Sequence, residues 1–176
     1  MTDSDKVTFQ ELRFERLLDA PIEKVWRFLI EPELRARWFM SGPTEAVVGG
    51  KLGFTMSHDR LSDDDVPVPE RFRSHVGASW AERINCIEAP HLLSFTWDEG
   101  KAGEVTVALA EENGKTRLVL THSGLRGRGD AENFGSGWHS HLAALARRIR
   151  GDGVPNFWAL HAEAEAAIQK ALGKDG

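Results

Sequence analysis

The feature that most constrains the fold is a block of apolar alternation in the middle of the chain. Five segments carry apolar side chains at every second position: 45–56, 78–88, 92–97, 105–110 and 116–123. This period indicates strands with one buried face. The Asn113-Gly114 step between the last two segments is a strong hairpin signal. Successive strands joined by short links are expected to pair antiparallel, because parallel pairs need long crossovers.

Other patterns flank this block on both sides. Residues 7–18 predict a first strand, followed by two short helices over about 21–31 and 33–38. After the block, four apolar residues fall on one helical stripe: Trp138, Leu142, Leu145 and Ile149. This stripe predicts a long helix, and a last helix is predicted over 156–172.

Strands that are grouped, with helices at the ends, predict the α+β class. We expect a curved antiparallel sheet of about six strands wrapped on the long C-terminal helix. Two short helices follow the first strand, and one extra helix ends the chain. Residues 1–155 then form one domain, and residues 156–176 form an appended helix packed on the same domain or on a partner. The space between a curved sheet and its helix becomes a pocket.

Composition narrows the classes of partner. The net charge is −5 and no stripe of Lys and Arg offsets it, so nucleic acid is not an expected partner. No apolar run is long enough for a membrane span, and the single Cys86 indicates a reducing cytoplasm. Six Trp are more than most cores of this size use, which favours a pocket lined by aromatic side chains.

Residues 57–75, called the excursion below, separate the first two segments of the block. This stretch contains four Asp and two Pro and breaks both periodicities. We predict that it is an exposed excursion from the domain.

The seven His do not form a recognisable metal site. His139 and His141 lie two residues apart on a helix and therefore face different sides, whereas one metal ion needs a spacing of three or four. Ser41, Ser123 and Ser136 lack the context of a nucleophile. We predict no metal, no cofactor and no catalytic residue.

Three polar residues are candidates for the pocket. His122 shares a strand face with apolar residues and His141 flanks the helical stripe, so both are expected to face inward. Such imidazoles can hold or deprotonate a polar group of a ligand; the alternative, which we favour, is a hydrogen-bonded histidine at the rim. Glu82 projects onto an apolar strand face, either as a ligand contact or, as we prefer, as an exposed or salt-bridged residue.

Aromatic and aliphatic residues complete the candidate set, although plain core packing explains each of them equally well. The predicted ligand-binding residues are Trp38, Phe39, Phe54, Trp80, Glu82, Phe95, Trp97, Leu120, His122, Trp138, His141 and Leu142.

Five short motifs occur in order along the chain: Ala20-Pro21 with Val25-Trp26, Trp38-Phe39 before Gly49-Gly50, Leu92 to Trp97, Lys115 to Leu125, and Gly137-Trp138. Together they resemble the START-like (SRPBCC) superfamily, in the branch related to the activator of the ninety-kilodalton heat-shock protein ATPase. The resemblance covers roughly residues 8–150. It implies a helix-grip fold and often an apolar ligand cavity. The excursion and the helix 156–172 depart from the family's pattern.

Three functions follow as hypotheses. The first, which we favour, is non-catalytic binding of a small apolar or amphipathic ligand between the sheet and the long helix. The second, implied by the resemblance, is a co-chaperone-like interaction module with a role in the stress response. The third is a cyclase or hydrolase that uses an inward His. The stripe on 156–172 docks on its own domain or, as the alternative, forms a homodimer contact.

Overall fold

Seven antiparallel strands form one sheet in the computed structural model, which describes residues 1–173 of the chain. The strands are β1 (Lys6–Val7), β2 (Glu11–Leu18), β3 (Lys51–Thr55), β4 (Ser79–Glu88), β5 (Leu92–Thr96), β6 (Glu104–Glu112) and β7 (Lys115–Ser123). Their order across the sheet is β1-β2-β7-β6-β5-β4-β3. The sequence predicted about six strands, and the difference lies at the N-terminus.

The predicted first strand over 7–18 is in fact a small hairpin. Thr8 turns the chain: its Oγ1 accepts a hydrogen bond from the backbone N–H of Glu11 and donates one to the Glu11 carbonyl. β1 therefore folds back on β2, with Lys6 opposite Arg13.

The predicted hairpin between β6 and β7 is confirmed. Asn113 and Gly114 both have positive φ, at 52° and 78°, which is the backbone that a tight hairpin turn requires. β7 pairs with β6 on one side and with β2 on the other, and this places the His122 side chain on the same buried face as Leu118 and Leu120.

Five helices lie within the described residues: α1 (Ile22–Ile30), α2 (Pro32–Arg35), α3 (Glu70–Arg73), α4 (Arg128–Arg150) and α5 (Phe157–Leu172). A single 3₁₀ turn spans Asp98–Gly100. The predicted stripe of α4 is buried from Trp138 to Ile149, and the sheet wraps on this helix. The α+β helix-grip fold is thus confirmed. None of the helices within residues 1–173 is long and apolar enough to cross a membrane.

The terminal helix α5 packs along α4 in the same chain. Asn156 begins it by accepting a hydrogen bond from the Ala159 N–H at 3.1 Å. Gly135 on α4 allows close approach, since a Cβ there would lie 3.2 Å from a methyl carbon of Ile168. Phe157, Ile168 and Leu172 are buried. The end of the predicted appended segment, residues 174–176, lies outside the described residues, and a homodimer through α5 stays a prediction.

The excursion is only partly exposed, so the prediction is wrong at its base. Leu61 is 1% exposed. The Asp63 carboxylate accepts hydrogen bonds from Arg148 at 2.7 Å and from the Val154 N–H at 2.6 Å. The Ser62 hydroxyl accepts one from the Phe157 N–H. These bonds fasten the excursion to the segment that joins α4 and α5, and the excursion also contains α3.

Candidate functional site

A cavity of about 330 Å³ lies where α4, the sheet, the excursion and α5 meet. Its inner wall comes from the helix-grip fold and comprises Phe39, Met40, Met56, Trp80, Trp97, Asn133, Phe134, Gly137, Trp138 and His141. Its outer wall comes from the excursion and α5 and comprises His58, Phe72, His75, Phe157, Trp158 and His161. Of the described residues that line the cavity, none is Asp, Glu, Lys or Arg.

Phe39 is the centre of the inner wall. Its ring centroid lies 5.0 Å from that of Trp138, 4.9 Å from that of His141 and 6.5 Å from that of Trp97. Trp97 and Trp138 meet edge to face at 5.4 Å. Aromatic pairs of this kind contribute about 0.5–1.5 kcal/mol each beyond the area they bury. The inner wall is therefore a packed aromatic surface.

A buried arginine holds the segment that carries Phe39. Arg35, at the end of α2, is 2% exposed, and its guanidinium donates only to neutral oxygens. These acceptors are the carbonyls of Leu29, Met40, Gly42 and Gly53 and the hydroxyl of Thr44. Burial lowers the pKa of Arg35 to about 10, so the group remains a cation at neutral pH. Arg35 could not be predicted from the sequence as a buried group, because nothing in the local pattern reveals its carbonyl partners.

His122 is buried but has no free nitrogen to offer a ligand. Its Nδ1 accepts a hydrogen bond from the indole N–H of Trp138 at 3.1 Å, and its Nε2 donates to the Ala102 carbonyl at 2.8 Å. Burial lowers the pKa of His122, against the hydrogen bond to Ala102. The structure places this predicted residue behind the cavity, where it orients the Trp138 ring.

Glu82 is buried, at 2% exposure, rather than exposed or salt-bridged. Its carboxylate accepts hydrogen bonds from the Thr96 hydroxyl at 2.6 Å and from the N–H groups of Asp98 and Glu99 at 2.9 and 3.1 Å. These bonds hold the 3₁₀ turn that follows β5. Glu82 does not line the cavity.

His141 does line the cavity. Its Nδ1 donates a hydrogen bond to the Trp38 carbonyl at 2.7 Å. Its ring is held between Phe39 and Phe157, with centroids 4.9 and 4.7 Å away. Burial lowers the pKa of His141 to about 3, so the imidazole is neutral at pH 7.

The outer wall contains three more histidines. The His58 ring packs on Trp158 with centroids 4.9 Å apart. Burial lowers the pKa of His58, and the nearby His161 lowers it further. The Nδ1 of His58 is a buried nitrogen with no hydrogen-bond partner within residues 1–173. Such an atom costs about 1–3 kcal/mol relative to a satisfied one. His75 is exposed.

Ser140, His161 and Glu165 form a series that resembles a nucleophile with its base. The Ser140 hydroxyl lies 3.0 Å from His161 Nδ1, and His161 Nε2 lies 3.6 Å from Glu165. However, the hydroxyl also donates to the Ser136 carbonyl one turn earlier in α4, at 2.8 Å. Ser140 is buried and does not line the cavity. The series links α4 to α5 and is not an accessible nucleophile.

The other predicted residues divide between the cavity and the core. Phe39, Trp80, Trp97 and Trp138 line the cavity together with His141. A second space of about 20 Å³ lies deeper, lined in part by Trp38, Phe54, Phe95 and Leu120. Leu142 lies in the core beside neither space. Within residues 1–173 no group of three or more His, Cys, Asp or Glu is arranged to hold a metal ion.

Sequence reasoning missed the whole outer wall. His58, Phe72, His75, Trp158 and His161 were not predicted. The excursion has no periodicity from which an inward residue could be read. The stripe on α5 was visible, but the surface that it meets was not.

Comparison with known proteins places the chain in context. Residues 19–150 match the model of a family described as Activator of Hsp90 ATPase homolog 1-like protein. The chain is similar to a protein from Bordetella parapertussis whose structure was solved by NMR, with 33% identity, 98% of this chain and 96% of that chain covered, and a TM-score of 0.79. The comparison with curated proteins found no match.

Two further structures share the fold at lower identity. The crystal structure of CalU16 from Micromonospora echinospora is 22% identical, with 96% of this chain and 98% of that chain covered and a TM-score of 0.68. An AHSA1-like protein from Aeromonas hydrophila is 24% identical, with 80% of this chain and 92% of that chain covered and a TM-score of 0.61.

Proposed function

The chain belongs to the Activator of Hsp90 ATPase homolog 1-like family, a branch of the START-like (SRPBCC) superfamily, and we propose that it binds a small apolar or amphipathic ligand without transforming it. The observation that carries this proposal is the cavity of about 330 Å³ between the sheet and α4. Ligand sites in proteins are typically concave, mostly apolar and about 300–1,000 Å³ in volume.

The character of the lining supports an uncharged ligand. Its walls are mostly aromatic, and the charged side chains that would pair with an ion are missing among the described lining residues. An ion that leaves water without a partner loses several kcal/mol of hydration, as an order of magnitude. An apolar ligand loses nothing comparable and is favoured by about 25 cal/mol for each Å² of surface that it buries.

The acid–base groups support binding rather than turnover. Both ring nitrogens of His122 are engaged, and the Glu82 carboxylate is committed to the turn after β5. His141 faces the cavity, but an imidazole with a pKa of about 3 is a weak base, and general bases work best when their pKa is near the working pH. The cytoplasmic location and the role in the stress response stay predictions.

A glycine on α4 allows a direct test. Gly137 lines the cavity, and a Cβ added there meets no atom within 4 Å. Gly137→Leu therefore places a side chain in open space inside the cavity while replacing a poor helix former. Gly129→Leu is the matched control, since a Cβ at Gly129 also meets nothing within 4 Å but this residue does not line the cavity.

The probe is N-phenyl-1-naphthylamine, an uncharged dye that brightens in apolar surroundings. We expect the wild-type protein and Gly129→Leu to bind it equally, and Gly137→Leu to bind it at least about tenfold more weakly. Gly137→Leu should be as stable as wild type or more so, by about 0.5–1 kcal/mol. Equal binding by all three proteins would show that the dye sits elsewhere. Native mass spectrometry of the protein from its own host would then report any bound mass.

A further inference from the structure

One nitrogen of His141 is a hydrogen-bond acceptor that the inner wall offers to a ligand, beside the side-chain amide of Asn133, which also lines the cavity. A carbonyl oxygen only accepts hydrogen bonds, so the 2.7 Å contact with Trp38 requires the proton of the neutral ring to lie on Nδ1. Nε2 therefore carries a lone pair and can only accept. The tautomer is fixed by the backbone and not by the ligand.

This Nε2 is open to the cavity. Within residues 1–173 the His141 ring makes one hydrogen bond, through Nδ1, and none through Nε2. Among the described residues, His58 Nδ1 is the one side-chain nitrogen or oxygen that is both buried and without a hydrogen-bond partner. His141 Nε2 also has no partner, so it must be accessible to solvent. His141 is partly exposed, and it lines the cavity. The exposed surface of its Nε2 therefore faces the inside of the cavity.

The ring also cannot turn away. Phe39 meets it edge to face at an interplanar angle of 82°, and Phe157 packs on it at 30°. The acceptor is therefore presented in one direction, from a rigid helix, within an aromatic surrounding. Other polar groups near it on the outer wall are the imidazoles of His58 and His161, whose pKa values burial also lowers.

We propose that His141 is the specificity-determining residue of the cavity and that it selects an uncharged apolar molecule carrying a hydrogen-bond donor, a hydroxyl or an N–H. This inference rests on the proposed function. A ligand with only acceptors leaves Nε2 unpaired after the cavity water is displaced, whereas a donor replaces that water. A permanent anion meets a lone pair and no cation, so it is rejected.

Two aromatic probes that differ in whether their oxygen carries a hydrogen atom or a methyl group test the selection. 2-Naphthol is uncharged at pH 7 and has a hydroxyl donor; 2-methoxynaphthalene has the same rings and no donor. Their affinities are measured by quenching of tryptophan fluorescence in wild type, in His141→Phe and in the control His91→Phe, since His91 is exposed and does not line the cavity. The readout is the ratio of the two dissociation constants, because a general loss of the cavity weakens the binding of both probes, whereas loss of the acceptor weakens that of 2-naphthol alone.

We expect the preference for 2-naphthol to fall about three- to tenfold in His141→Phe relative to wild type, which is the effect of losing one hydrogen bond. The preference should be unchanged in His91→Phe. 2-Naphthoate should bind wild type at least about tenfold more weakly than 2-naphthol. An unchanged ratio in His141→Phe, or tighter binding of 2-naphthoate, overturns the inference. If none of the probes binds, and N-phenyl-1-naphthylamine also fails to bind, the proposed function itself is wrong.

Nitrogen NMR of the wild-type imidazoles gives a second readout that needs no variant. 2-Naphthol, but not 2-methoxynaphthalene, should shift the Nε2 resonance of His141. A shift that is the same with both probes, or that appears on a different histidine, contradicts the assignment.

Discussion

The two walls of the cavity differ in how their polar atoms are satisfied. On the inner wall the Trp138 indole N–H is paired with His122, and His122 is paired in turn with Ala102. On the outer wall the His58 Nδ1 is buried without a partner in the described chain. The buried polar atoms behind the inner wall are thus satisfied, and its open acceptor, His141 Nε2, faces the cavity, whereas the outer wall contains a buried group without a partner.

The two walls also differ in the contacts that hold them to the rest of the protein. The base of the excursion is fastened by Asp63, whereas its helix α3 contacts α5 through the solvent-accessible ion pair of Arg71 and Glu165 and through the partly exposed ring of Phe72, which stacks on Trp158. A surface ion pair contributes only about 0–1 kcal/mol. These contacts predict that the outer wall opens more readily than the inner wall.

The largest expected difference comes from removing one tryptophan from each wall. Trp138→Ala should lower the free energy of unfolding by about 3–5 kcal/mol, because a large buried ring is lost and His122 loses its donor. Trp158→Ala should cost about 1–2 kcal/mol, since the Trp158 side chain is partly exposed and loses less buried area. Urea denaturation measures both. Equal losses would remove the distinction between the walls.

The Asp63 anchor predicts a dependence on pH. Burial alone would raise the pKa of Asp63, but hydrogen bonds from Arg148 and the Val154 N–H together lower it. A carboxyl whose folded pKa is lowered stabilises the protein above its unfolded pKa, near 3.8, and loses this contribution as the pH falls through the folded value.

Asp63→Asn should therefore cost about 1 kcal/mol at pH 7, a modest figure because the side chain is partly exposed. The cost should shrink between pH 5 and pH 3, as estimated from carboxyl titration in general. Unfolding midpoints in urea across this range test it, with the exposed Asp152→Asn as control. A cost that does not vary with pH would show that the carboxylate charge contributes nothing.

The smallest effect concerns the unpaired nitrogen of the outer wall. His58→Phe should raise the stability by about 0.5–1 kcal/mol at pH 7, because it removes a buried polar atom without a partner. The gain should grow below pH 6.5: the lowered pKa of His58 means that the unfolded chain takes up a proton there before the folded protein does. Thermal unfolding of wild type and His58→Phe at pH 7 and 5.5 measures this, and an equal stability of the two proteins at both pH values would contradict it.

Much of the inner wall was predictable from the sequence, and the outer wall was not. Alternation places Trp80, Trp97 and His122 on one face of the sheet, and the apolar stripe of α4 faces it. Local periodicity was therefore sufficient to predict these residues as inward-facing. Whether His122 or His141 retains a free nitrogen depends on Ala102 and Trp38, which are distant in sequence. The position of the excursion depends on Asp63 meeting Arg148, a contact between residues that no period connects.

Hydrogen exchange with and without N-phenyl-1-naphthylamine tests most directly the claim that the outer wall closes a ligand cavity on a preformed scaffold. Amides of the excursion and of the first turns of α5 should exchange at least about tenfold more slowly in the complex, while β5, β7 and the middle of α4 are already slow and change little. Gly137→Leu should show no difference on adding the dye. If the dye binds and the slowed amides lie in the sheet and α4, or nowhere near the excursion, the account is contradicted.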